Sequence, residues 1–120
     1  MDYPRTAADS AAFQNLLGWL KSEAEARGSI EDIACDHDRL WADIGLAPHH
    51  EAVVFAWYEQ TDRGLAVNAG LLRFDPLDKS KGGDLGRHLI RRRPVPDRLA
   101  AVALMKVCLE RLFVELDASR

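Results

Sequence analysis

Hydrophobic positions near the start of the chain recur with helical spacing. Phe13, Leu16, Leu17, Leu20 and Ala24 fall on one stripe when successive residues are turned by about 100°. Thr6 and Asp9 stand three apart ahead of that stripe, as in a capping box, and Gly28 follows it as a helix-ending residue. The pattern predicts a helix over about 7–27, with Gly18 inside it at some cost. Ser29, Glu31 and Asp32 resemble a second helix start. Ile30, Ile33, Ala34, His37, Leu40, Trp41 and Ile44 then share a helical face up to Gly45, predicting a second helix over about 30–44. Two amphipathic helices joined at Gly28-Ser29 imply an N-terminal αα-hairpin or a sharply bent pair.

The pattern changes after Glu51. Val53, Val54, Phe55, Trp57 and Tyr58 are β-branched or aromatic, and Leu65 to Phe74 follows the turn-forming Thr61-Asp62-Arg63-Gly64. This predicts strands over about 51–60 and 65–74, closed by a glycine in the left-handed region. A helix over 48–60 is the rival, because positions 53, 54, 57 and 58 also fit period 3.6. The stretch from Leu77 to Gly86 is rich in glycine and charge and reads as a loop. His88 to Arg93 reads as a short edge strand, blunted by three arginines. Pro94, Pro96 and Asp97 set up a last helix over about 97–117, with Val102, Met105, Leu109, Leu112, Phe113 and Leu116 on a core-facing arc. A second apolar stripe on that helix, Ala100, Ala103, Val107 and Val114, suits a seam with a second copy. The fold class expected is α+β: an N-terminal αα-hairpin, an antiparallel β-hairpin with a possible third edge strand, and a long C-terminal helix packed on the sheet.

Length and composition narrow this little further. With 120 residues, 48% hydrophobic and 29% charged, the chain suits one domain over 1–120 and excludes a disordered or fibrous protein. No apolar run is long enough to span a bilayer, and Met-Asp-Tyr-Pro-Arg at the start lacks the build of a signal peptide. Two cysteines make no disulfide framework, so a cytoplasmic setting is expected. The net charge of −3 hides two poles. From Glu23 to Glu51 there are eight acids against two arginines, and from Lys79 to Arg93 six bases against one acid.

Candidate chemistry is thin. Cys35, Asp36, His37, Asp38, His49, His50 and Glu51 are all metal-ligand types, but a helix would turn Cys35 and His37 apart, and no zinc-knuckle spacing is present. No metal or other cofactor is therefore expected. Cys108 falls at the margin of the buried arc, while Cys35 is flanked by acids that discourage a thiolate. Ser80 has only His88 near it in sequence, and Asp36 and Asp43 have Arg39 between them, as in an exposed ion network. Lys81 to Arg87 matches no phosphate-binding motif. No catalytic residue is nominated. Leu40-x-x-Asp43-Ile44-Gly45-Leu46 is similar to the ending of a family of very short, arginine-rich bacterial helical proteins of uncharacterised role; the likeness covers seven residues and implies nothing about this chain's activity.

The expected function is a small, non-catalytic protein that binds another protein and acts as a homodimer. Arg87, Arg91, Arg92, Arg93 and an off-stripe Trp19 are its expected partner contacts. Ala100, Ala103, Val107 and Val114 form its expected dimer interface. The first alternative is a nucleic-acid-associated protein using Lys79 to Arg93, although no aromatic residue alternates with those bases. An enzyme with an unidentified site is the second alternative.

Overall fold

A computed structural model describes residues 6–36, 38–46, 50–74 and 87–118. It is an α+β arrangement of two helices on one five-stranded antiparallel sheet. The elements run α1 (Ala7–Glu25), β1 (Ser29–Asp36), β2 (Arg39–Leu46), β3 (His50–Thr61), β4 (Gly64–Phe74), β5 (Arg87–Val95) and α2 (Arg98–Ala118). The strands lie in sequence order, each antiparallel to the next. Among the described residues no helix is long and apolar enough to cross a membrane.

Helix α1 forms where the sequence predicts it. The Thr6 hydroxyl accepts from Asp9 N at 3.1 Å and the Asp9 carboxylate accepts from Thr6 N at 2.9 Å, so the capping box is complete. Phe13, Leu16, Leu20 and Ala24 are its buried stripe. Gly28 follows, but not for its tolerance of positive φ, since Gly64 alone among the described glycines has that conformation, at 120°. A Cβ on Gly28 would collide with the carbonyl oxygen of Gly45 and crowd Ile44. Glycine is needed there because the backbone leaving α1 runs against the end of β2.

The expected second helix is a β-hairpin, so there is no N-terminal αα-hairpin. Leu40, Ala42 and Ile44 are buried while Trp41 and Asp43 on the opposite face are half-buried, which is period 2 and not 3.6. The helical stripe combined Ile30 and Ile33 from one strand with Leu40 and Ile44 from the next, carrying one phase across a turn. Asp36 pairs with Arg39 at the tip, and Ile30 pairs with Ile44. The seven-residue resemblance lies inside β2 and marks no helix end. His37 lies outside the described residues.

The hairpin expected after Glu51 forms as β3 and β4 around the turn closed by Gly64, so the helical rival for 48–60 is not what folds. The third edge strand is present as β5, and β1 and β2 complete the sheet at its other side. Asp97 caps α2, its carboxylate accepting from Ala100 N at 2.8 Å.

Both helices cover one face of the sheet. Leu40, Ala42 and Ile44 of β2, Ala52, Val54, Ala56 and Tyr58 of β3, and Leu65, Val67, Ala69 and Leu71 of β4 meet the buried sides of α1 and α2. α1 rests on β1 and β2, and α2 on β3, β4 and β5. Alanines at 42, 52, 56 and 69 keep that face shallow enough for the helices to sit close. Arg27 ties the far ends together. Its guanidinium donates to Glu23 and Asp117 at 2.9–3.0 Å and lies 4.3 Å from the centroid of the Phe113 ring.

Candidate binding face

Alternation along the strands fills the sheet's second face with a different set of residues. Register places Trp41 opposite Phe55, Arg39 opposite Trp57, Trp57 opposite Asn68, Phe55 opposite Gly70, Gly70 opposite His88 and Val53 opposite Leu72. Phe55 and Trp57, two apart on β3, stack with centroids 5.4 Å apart and planes at 27°. His88 meets both rings edge-on, at 5.8 Å and 6.2 Å. It reaches Phe55 from two strands away because Gly70, between them, has no side chain to intervene. Neither helix packs on this face. The helix side of β3 carries Ala52, Val54, Ala56 and Tyr58, and the opposite side carries Val53, Phe55 and Trp57.

One end of this face is acidic. Trp41 Nε1 donates to the Asp32 carboxylate at 3.2 Å, and the Glu31 carboxylate accepts from the Ser29 hydroxyl at 3.0 Å beside Gly45. Asp43 pairs with Asp32 across the hairpin and with Val53 on β3, and Glu51 sits opposite Gly45. Desolvation raises the Asp43 pKa above its ordinary value, with Glu51, Glu31 and Asp32 raising it further. Its Oδ1 is buried and has no hydrogen-bond partner.

The other end carries arginine. Arg92 Nε lies 3.3 Å from Glu59 Oε1, and 79% of the Arg92 side chain is exposed. Its backbone sits at φ 48°, where the β4–β5 register shifts. Asn68, only 5% exposed, holds the irregularity by accepting from Arg92 N at 2.9 Å on Oδ1, while its Nδ2 has no partner. Arg39 shares this end of the face through its pairing with Trp57.

The residues singled out in the sequence are dispersed. Arg91, Arg92 and Arg93 are all exposed, but they do not form one patch. Arg92 joins the aromatic face, whereas Arg93 pairs with Val67 and lies close enough to α2 to lower the Cys108 pKa against the stronger upward push of burial. Arg87 begins β5 with its side chain outside the described set, as are Lys79, Lys81, Ser80 and the glycine-rich loop. Trp19 is half-buried on the α1–α2 seam, edge-on to Phe113 at 5.9 Å, with Lys106 Nζ 5.6 Å from its ring centroid. On α2, Val107 is 53% and Val114 67% exposed, Ala103 is exposed and Ala100 half-buried, and Leu99 lengthens the strip.

Among the described residues no group of three or more His, Cys, Asp or Glu is placed to hold a metal. Of the metal-ligand types near His37, the side chains of Cys35, Asp36, His37, His49 and His50 lie outside the described set. Cys108 is a buried thiol whose pKa is raised, which suits packing and not nucleophilic attack.

Sequence reasoning missed Trp41, Phe55 and Trp57 as a surface. The signal was present in β3, which is apolar on both faces from Ala52 to Tyr58. Comparison with protein-family models, with curated proteins and with solved structures gives no match to this chain.

Proposed function

We propose that this chain is a cytoplasmic protein-binding module that works without catalysis and receives a polypeptide on the helix-free face of its sheet. One observation carries the reading. Trp41, Phe55 and Trp57, flanked by Val53 and Leu72, form a half-buried aromatic patch that neither helix covers, with charge at both ends. Aromatic anchors inside a charged rim are the usual composition of a protein interface. The α2 strip of Ala100, Ala103, Val107 and Val114, lengthened by Leu99, is a second, narrower apolar surface and is the rival dimer seam. Scattered exposed aliphatic residues of that kind are ordinary on a surface helix.

The test is capture from host lysate on the immobilised chain, after nuclease treatment. Trp57→Ala should lose the bound proteins while circular dichroism stays unchanged, and Val107→Glu should keep them. Equal capture by Trp57→Ala and the unmodified chain would refute the reading.

A second reading has one observation in its favour. Arg92 and Arg39 stand beside stacked rings on a sheet, an arrangement that accepts single-stranded nucleic acid. Glu31, Asp32, Asp43 and Glu51 on the same face oppose it by repelling phosphate. Binding to a single-stranded oligonucleotide that weakens steeply with salt would favour this reading over the first.

A further inference from the structure

We propose that the polypeptide received on the aromatic face is a second copy of this chain, stacked sheet to sheet about a two-fold axis that lays the acidic end of each copy on the Arg92 end of the other. This rests on the protein-binding reading of the same face and names its partner.

Charge is the first support. The acids gather at one corner, Glu31 and Asp32 on β1, Asp43 on β2 and Glu51 at the start of β3. Arg92, 79% exposed although 3.3 Å from Glu59, stands at the diagonally opposite corner on β5, with Arg39 at the same end of the strands. Two like faces can meet only about a two-fold lying in the plane between them. An axis perpendicular to the line from Asp32 to Arg92 exchanges those corners, so each acidic cluster meets an arginine. Phe55, on the central strand midway between those corners, lies close to that axis and so meets its counterpart in the other copy. A face with both poles and an apolar centre is thus complementary to itself.

Accessible carboxylates are the second support. Glu31 and Asp32 are exposed at the acidic corner, where each can accept from an incoming guanidinium. The buried Oδ1 of Asp43 lies out of its reach.

Area is the third. Five staggered strands at about 4.8 Å spacing, each of eight residues or more at about 3.3 Å per residue, give a plane of roughly 600 Å² per copy. The accessible area of a corrugated face exceeds its projection, so the pair clears the roughly 1,000 Å² in total that a specific interface needs. Sheets stacked in this way pack about 10 Å apart through interleaved side chains.

Sedimentation of the purified full chain tests it, with Asp32→Lys, Arg92→Glu, their combination and Val107→Glu. The unmodified chain should run as a dimer. Each single charge reversal should weaken dimerisation by at least about tenfold, and the double reversal should restore it, because the exchanged charges again oppose each other across the axis. Val107→Glu should leave the mass unchanged. A dimer that Val107→Glu dissociates and the charge reversals do not would overturn the proposal and place the seam on α2. A monomer at every concentration would also overturn it, and lysate capture then separates the two claims. Capture still lost in Trp57→Ala would leave the face as a binding site for a different protein, whereas capture unaffected would remove both.

Discussion

Changing three glycines to alanine should alter stability in three different ways, because the same added methyl meets three different surroundings. Gly18 is exposed inside α1, and a Cβ there has no neighbour within 4 Å. Gly18→Ala therefore removes only the conformational freedom of the unfolded chain and should stabilise by about 0.5–1 kcal/mol. At Gly45 the methyl would come 2.6 Å from Glu31 Oε1 and 2.6 Å from Ser29 Oγ. Both are free ends of exposed side chains, so they move aside and give up the hydrogen bond between them. The entropic gain and this loss are of similar size, and the net change should stay within about 1 kcal/mol. Gly28 differs because its methyl meets backbone, the Gly45 carbonyl oxygen, with Ile44 behind it. Relief requires the end of α1 to move off β2. Crowding of this kind costs about 1–3 kcal/mol, more than the 0.4–1 kcal/mol that alanine returns through the unfolded state. Gly28→Ala should thus be destabilising, by about 1–2 kcal/mol net. Urea denaturation followed by circular dichroism reads all three, with equal m-values confirming an unchanged unfolding reaction. A Gly28→Ala protein as stable as the parent would refute the placement of the α1–β1 junction against β2.

Two further outcomes follow from the core and the acidic end. Leu109, fully buried on α2, should lose about 2–5 kcal/mol of stability on truncation to alanine, read from the same denaturation curves. An effect below about 1 kcal/mol would mean that the helix does not pack as described. Asp43 has its folded-state pKa raised by desolvation and by Glu51, Glu31 and Asp32, so folding favours its protonated form. Its ionised form opposes folding above the folded-state pKa, and that opposition is relieved as pH falls toward the unfolded-state value. Asp43→Asn should accordingly raise the melting temperature at neutral pH and lose that advantage in acid; a gain independent of pH would contradict the assignment.

How much of this was legible in the sequence depends on how locally each element is specified. The capping box at Thr6 and Asp9, the turn ending at Gly64 and the arc on α2 each contain their own signal within one element, and each forms. Residues 29–46 carry a signal that only the neighbouring strand resolves. Leu40, Ala42 and Ile44 alternate, but so short an alternation competes with a helical phase until Ala56, Val54 and Ala52 of β3 pair with it. Tertiary pairing decided that region, and the misreading hid the aromatic face, because Trp41 becomes a neighbour of Phe55 only once β2 is a strand. The arginine run was equally ambiguous. A bulge held by Asn68 separates Arg92 from Arg93, and no spacing in the sequence shows which arginine joins the aromatic rings.

The central claim, that the helix-free face is where the chain meets its partner, is tested most directly by hydroxyl-radical labelling of the purified protein across a concentration series. Oxidation of Trp41, Phe55 and Trp57 should fall as the chain self-associates, while that of Val107 and Val114 stays constant. Protection of Val107 and Val114 with the three rings unchanged would contradict the account.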